Sequence, residues 1–451
     1  MQQILGLVSE CLLAVAVPYF FLNVILGITV ARREGGSLRG QEQMVTKGAR
    51  APQRDWELYF LVPCLNEARV IGATVEALLD QDVSRIFVID DDSDDGTASV
   101  AKRQAALRGK SERVVVVRRK LPDARKGKGA ALNAGLVQVK ADIAARGIDP
   151  DNVVIAVMDA DGRLSPGGAR VPLALFENPR VGGVQLAVRI RNRPKLINQF
   201  QDVEFWMISA LSQFARSLSG TVSLGGNGQF TRLTALLGLT GDPWSDSLTE
   251  DLDLGLRLVA DGWQVTTTGA AFVDQQSVDS YRRLLRQRTR WYQGHMACIV
   301  RMGEIWRSNK VRQIALLEVS SYLLVPWLLV LPWSILQQWI FFEICFGSGR
   351  GVFAGNLGSL PWRVSYAVMW YLISFLPNIV IGVTYSRRTR QVSLGRSLVL
   401  GHLMIIWNYI GYTAAWSALV RIVRGRTGWD KTARTVEGAE ESIAVAVGTS
   451  S

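Results

Sequence analysis

At 451 residues the chain has room for one sizeable catalytic domain plus further elements. Its formal net charge of +12 goes with apolar residues gathered in blocks near both ends, a pattern that suits membrane segments whose Lys and Arg hold the cytoplasmic edge near anionic lipid. The scattered cysteines (Cys11, Cys64, Cys298, Cys345) and the two histidines, His295 and His402, argue against a disulfide framework, a zinc site or a His-based triad, and no nucleic-acid motif accompanies the positive charge.

Cys11 to Val30 is a largely apolar run, preceded by Glu10 and followed by Arg32 and Arg33. A signal peptide carries its charge in the opposite order. Residues 1–31 are therefore expected to hold an uncleaved transmembrane helix, with the next segment of the chain in the cytoplasm. The polar, basic stretch 32–55 reads as a juxtamembrane linker.

From Trp56 the pattern alternates between strands and helices. Leu58–Val62, Arg85–Ile89 and Arg113–Val117 are short apolar strands, separated by helical stretches reaching Leu79 and Leu107. This rhythm predicts a parallel sheet whose ligands collect at the carboxyl ends of the strands. The unusual acids lie at those ends: Glu67 after the first strand, and Asp90, Asp91, Asp92, Asp94 and Asp95 after the second. Lys126-Gly127-Lys128-Gly129 then leads into a helix, Ala130–Val139, whose N-terminus can receive an anion. Val153 to Asp161 reads V-V-I-A-V-M-D-A-D, a β-branched run ending in two carboxylates. Side chains two apart in a strand point the same way, so Asp159 and Asp161 are expected to project together from its carboxyl end, a pair suited to a hard divalent cation that also holds phosphates.

Gly182–Ile190 is a further strand, and Pro194–Ser219 repeats apolar residues at helical spacing, which fits either a core helix or one at a membrane interface. Gly225-Gly226-Asn227-Gly228 breaks the pattern. Thr249-Glu250-Asp251 opens a helix to Ala260, with Thr249 in the N-cap position and acids in the first turn. Tyr281–Trp306 is a helix rich in Arg and aromatics that contains Gln287-Arg288-Thr289-Arg290-Trp291, and such helices often lie on anionic membrane surfaces. Beyond residue 311, Leu316–Phe346, Pro361–Tyr385 and Ser397–Val420 are candidate spans, the first kinked at Pro326 and Pro332. Arginine-rich segments at 387–396 and 421–434 flank the last candidate span, and the two flanks of one span cannot both be cytoplasmic. Residues 437–451 are small and polar, as in a disordered tail.

Pro63–Glu67, Asp90–Thr97, Lys128–Asn133, Asp159-Ala160-Asp161, Thr249-Glu250-Asp251 and Gln287–Trp291, in that order, resemble the membrane-integrated family 2 glycosyltransferases, which include hyaluronan, chitin, cellulose and poly-N-acetylglucosamine synthases. The resemblance implies an α/β GT-A catalytic domain, Rossmann-like with a mixed, mainly parallel sheet, at residues 56–310. Interface helices fall at about 194–220 and 281–306, with transmembrane helices at 311–424 and a tail at 425–451. It further implies an inverting transferase using a nucleotide sugar, a UDP-sugar by expectation, with Mg2+ or Mn2+, in the cell membrane with a cytoplasmic catalytic domain. The acceptor would be a growing β-linked glycan that is also translocated, or alternatively a membrane lipid. A third reading is an inactive export component.

Carried over residue by residue, Glu67, Asp91 and Asp90 would contact the nucleoside and Lys128 the diphosphate. Asp159 and Asp161 would hold metal, and Asp251 would be the general base. Gln287, Arg290 and Trp291, with Glu250, would hold the diphosphate and frame the acceptor. Trp429-Asp430-Lys431-Thr432 with Arg434 resembles a trailing W-x-K-T gating motif. Asp92 stands where such acidic loops usually carry glycine, which puts the turn geometry there in question.

Overall fold

A computed structural model describes residues 22–30, 52–346, 360–389 and 392–426. Most of the expected linker and the tail residues Trp429, Lys431, Thr432 and Arg434 lie outside the described residues.

Among the described residues eight strands form one sheet: β1 (Glu57–Cys64), β2 (Arg85–Asp91), β3 (Val114–Arg119), β4 (Val153–Val157), β5 (Arg163–Leu164), β6 (Val181–Ile190), β7 (Gln229–Arg232) and β8 (Gln264–Gln275). Their spatial order is β3-β2-β1-β4-β7-β6-β8-β5. β1 pairs in parallel with both β2 and β4, and β7 runs antiparallel between β4 and β6. The helices Ile71–Leu79, Thr97–Leu107 and Lys128–Arg146 provide the crossovers among β1 to β4. β4 is buried at every position because helices cover both faces of the sheet, which is why it reads as an unbroken apolar run. One face packs with Leu132, Leu136 and Val139 of Lys128–Arg146 and with the helix Glu250–Ala260; the other packs with Ile71, Val75 and Leu78. The chain leaves β1 toward β2 on one side and reaches β4 on the other, so a crevice opens at the carboxyl ends of these strands.

The helical pattern at 194–219 resolves into Leu196–Val203, a π-helical turn Glu204–Ser209, and Ala210–Ser217. One face of it is core. Val203, Met207 and Leu211 are buried together with Phe272 of the sheet, while Phe200 stacks on Trp407 at 5.0 Å between centroids. The helical residues 22–30 press on it too, since a Cβ at Gly27 would collide with the Leu211 carbonyl.

The stretch expected as one helix at 281–306 divides into Tyr281–Ala297, a 3-10 turn Cys298–Arg301, and Met302–Arg307. After it come Gln313–Leu324, a π-helical turn Val325–Val330 containing Pro326, and Leu331–Phe346. The irregularity falls where the proline removes a backbone donor, as expected. Leu360–Thr389 and Leu394–Val423 form a close hairpin, because Gly382 and Gly401 bring the backbones together at Ser397 and Asn378. Among the described residues three helical stretches are long and apolar enough to cross a membrane: Gln313–Trp339, Ala367–Thr389 and Leu394–Val423.

Leu394–Val423 nevertheless has both ends tied to the sheet domain's surface helices. Arg396 Nε donates to Gln199 (3.0 Å), and Arg421 Nε donates to Gln293 (2.7 Å). The helix thus contacts that domain near both of its ends.

Candidate active site

The crevice is built by loops that lock one another. After β1, the Asn66 N–H donates to Ser93 (2.9 Å) and the Ala68 N–H to Asp95 (2.9 Å), while the Asp94 N–H donates back to the Asn66 side chain (3.0 Å). Asp92 has φ +68°, a left-handed conformation that glycine adopts freely and Asp tolerates better than most residues. The missing glycine therefore leaves the turn intact, and the Asp92 carboxylate pairs outward with Lys120 (3.0 Å) and Arg125 (3.4 Å). Of the acid run, Asp90 is buried and accepts from the Ser93 N–H (3.1 Å), as a turn former does. Asp91 lines the cleft, where burial raises its carboxyl pKa against the pull of Arg119.

The cleft has a volume of 440 Å³. Glu67, Asp91, Lys128, Asp159, Glu250 and Asp251 line it, with Gln287, Arg290 and Trp291 from the helix Tyr281–Ala297. At its centre the Lys128 ammonium lies 2.7 Å from Asp159 Oδ1 and 3.7 Å from Glu250 Oε1. Burial works to lower the Lys128 pKa, but Asp159, Glu250 and Asp251 outweigh it and hold the ammonium charged. Burial and the adjacent Asp251 push Glu250 up to about 7, against Lys128 and Arg290. Burial also raises Asp251, opposed by Lys128 and by the Leu252 N–H, which donates to Oδ1 at 2.7 Å. A carboxylate near neutrality beside a fixed cation is the electrostatic profile of a proton acceptor. Thr249 precedes this helix without a side-chain capping bond; its hydroxyl faces Cys298 instead, at 3.7 Å.

Asp159 and Asp161 do not point together. The strand ends at Val157, and a turn closed by the Gly162 N–H to the Asp159 carbonyl (2.9 Å) reorients the residues after it. Asp159 faces the cleft, whereas Asp161 is fully buried behind it, accepting from the Gln276 N–H at 3.2 Å. Among the described residues no group of three or more His, Cys, Asp or Glu is arranged to hold a metal ion.

Several contributors were not legible as such in the sequence. Gly226, in the sequence only a break in the pattern, has φ +72°, and a Cβ there would lie 2.7 Å from Lys128 Nζ and 2.9 Å from Asp251 Oδ2. Its absent side chain leaves room for both groups. The neighbouring Asn227 caps the Asp159 N–H (3.3 Å), and Gln185 pins the loop through the Gly225 N–H (2.8 Å). The Gly-rich tetrapeptide just before β7 was the available signal. Glu204, Phe205, His295 and Tyr322 complete the wall nearest the apolar helices. His295 stacks on Tyr322 (4.5 Å), and burial lowers its pKa to about 4, so it is neutral.

The family model described as "Glycosyltransferase like family 2" matches residues 52–294. The chain is 29% identical over 296 residues to a beta-monoglucosyldiacylglycerol synthase of Synechocystis sp., an alignment covering 60% of this chain and 55% of that one. It thus spans about half the length of that relative. It is 22% identical to a poly-beta-1,6-N-acetyl-D-glucosamine synthase of Staphylococcus epidermidis, covering 69% of each. The structure of the mannosyltransferase PcManGT from Pyrobaculum calidifontis, in complex with GDP-Man and Mn2+, superposes with a TM-score of 0.52 at 16% identity, covering 90% of this chain and 99% of that one. That likeness establishes a shared fold, the GT-A type of mixed, mainly parallel sheet.

Proposed function

Since the chain belongs to the family 2 glycosyltransferases, we propose that it is an inverting hexosyltransferase using a UDP-sugar, which extends a β-linked glycan at the membrane. The observation that carries this reading is the meeting of Lys128, Asp159, Glu250, Asp251 and Arg290 in one cleft. The nucleoside lies toward Glu67 and Asp91, and the diphosphate toward Lys128 and Arg290. As the bond to the anomeric carbon breaks, the leaving diphosphate gains charge, which Lys128 and Arg290 stabilise in place. Asp251 removes the proton of the attacking acceptor hydroxyl, and Trp291 supplies an apolar surface beside which that acceptor sits. A single displacement with leaving group and acceptor on opposite sides inverts the anomeric centre.

A divalent cation, Mg2+ or Mn2+, fits Asp159. Its hard carboxylate faces the cleft, and such a cation needs only one or two protein carboxylates when phosphates and waters complete its shell. When bound, it would neutralise phosphate charge. Asp161, whose Oδ2 accepts from the Gln276 N–H, is the second carboxylate that would serve such a cation.

Extension of a glycan is supported by a second cavity of 350 Å³ that adjoins the cleft at Glu204. Its walls combine Trp333, Trp407 and Tyr412 with the amides Gln337, Asn378 and Asn408, flat apolar faces and hydrogen-bonding groups of the kind sugars engage. The 29% identity to a lipid-glycosylating synthase favours a second reading, a single transfer to a membrane lipid. An inactive export role fits poorly with a complete set of charged groups in one cleft.

The catalytic domain belongs on the cytoplasmic side, where the arginines flanking Leu394–Val423 meet anionic lipid. The tail resembling a gating motif follows Arg426 in sequence, whose carbonyl accepts from Gln293 (2.5 Å) on the helix bearing Arg290 and Trp291. Incubating membranes containing the protein with a panel of UDP-sugars, and measuring UDP release and product size, tests the whole reading. Polymer supports the synthase, a single glycolipid the second reading, and no UDP release from any donor refutes both.

A further inference from the structure

Between the catalytic cleft and the membrane-side cavity stands one layer of side chains. Glu204 belongs to both walls; Phe205 and Trp291 face the cleft, and Arg288 and Tyr292 face the cavity. Arg288 holds the layer together. Its guanidinium donates to Glu204 Oε2 at 2.7 Å and lies 4.2 Å over the Trp291 ring and 5.1 Å over that of Phe205. Phe205 in turn meets Trp291 edge-on, at 5.9 Å and 77°. The face of Trp291 on this side is thus covered by a cation, not open to a ligand.

The two partners are unequally placed. The Arg288 side chain is 5% exposed and the Glu204 side chain 32%, so the carboxylate is the accessible half of the pair. Glu204 also opens the π-helical turn Glu204–Ser209, where an extra residue per turn makes the backbone locally adjustable. An acceptor hydroxyl is a competing donor for that carboxylate. Binding one would draw Glu204 from Arg288 and loosen the layer where cleft and cavity meet.

We propose that Glu204 and Arg288 are positioning residues forming a partition between the catalytic cleft and the membrane-side cavity. Closed, it keeps water on the cavity side from the donor's anomeric carbon; opened by an acceptor hydroxyl, it lets the acceptor bridge both spaces. This rests on the transferase reading above and deepens it by naming how the acceptor is admitted. When the partition leaks, water replaces the acceptor. Its oxygen bonds to the anomeric carbon, the bond to the diphosphate breaks, and its proton passes to Asp251, releasing free hexose and UDP.

The test compares the full-length chain with Glu204→Gln and Arg288→Lys in lipid nanodiscs, using the UDP-sugar that supports turnover. Free hexose, UDP and glycosylated product are quantified together. Losing the charge-assisted bond should raise the ratio of free hexose to product about tenfold. The KM for acceptor should rise while the KM for donor holds, a split that a general loss of structure does not produce. Should Glu204→Gln fail to fold, Arg288→Lys keeps the charge but not the planar stack, and carries the same readout. An unchanged ratio in a variant that still turns over, or donor and acceptor KM moving together, overturns the partition. No UDP release from the parent chain would overturn the transferase reading, and the partition with it.

Discussion

Replacing Gly226 by Ala tests whether the cleft's charges are held where chemistry needs them. The new Cβ would stand 2.7 Å from Lys128 Nζ and 2.9 Å from Asp251 Oδ2, where ordinary contact begins near 3.4 Å. Each group must then retreat by 0.5–0.7 Å, from the differences 3.4 − 2.9 and 3.4 − 2.7. Both are ends of flexible side chains, so the fold can accommodate the shift. The left-handed φ of +72° adds a backbone penalty, about 1–2 kcal/mol for a residue with a Cβ. The catalytic cost should be larger in proportion, since a misplacement approaching 1 Å is worth on the order of 10²-fold in rate. Initial rates of UDP release, measured beside a thermal melt, separate the two effects. A variant that melts only slightly lower yet turns over about a hundredfold more slowly fits the geometry. Unchanged kcat in a folded Gly226→Ala protein would show that Gly226 does not set where Lys128 and Asp251 lie.

Asp251→Asn should lower transfer by about 10²–10⁴-fold while donor binding survives, checked by pairing rate measurements with nucleotide-sugar calorimetry; retained turnover removes Asp251 as the base. Asp159→Ala should abolish cation-dependent donor binding, and donor affinity that ignores chelators in the parent chain would contradict a role for metal at this residue. In the pH profile of kcat/KM, activity should climb through about 7 as the Glu250–Asp251 pair loses its last proton, and Glu250→Gln should move that limb to lower pH; a limb that stays put refutes the assignment. Because folding raises the Glu250 carboxyl from its ordinary 4.5 to about 7, the same ionisation should cost stability as pH rises across that window, which chemical denaturation at stepped pH can follow.

Much of this was written locally in the chain. Short, nearly continuous apolar runs between helical stretches read as buried strands of a sheet covered on both faces, so β1, β2 and β4 were legible from period and composition. So were the acids that end them, because loops at the carboxyl ends of parallel strands face one crevice whatever their detailed turns. Lys128, Glu250, Asp251, Gln287, Arg290 and Trp291 meet there as the motif order implied.

What the chain could not state was direction beyond the last strand residue. A period of two holds only while the backbone stays extended, and the turn after Val157 sent Asp161 into the interior while Asp159 stayed in the cleft. The Gly226 contact and the Glu204–Arg288–Trp291 layer join residues from separate elements, and pairing across such distances leaves no local periodicity. The arginine-rich flanks of Leu394–Val423 show the same division. Composition marked a helix able to span a bilayer, but only tertiary contacts at Gln199 and Gln293 place both its ends beside the catalytic domain. Hydropathy measures what a helix can bury, and its partners decide where it lies.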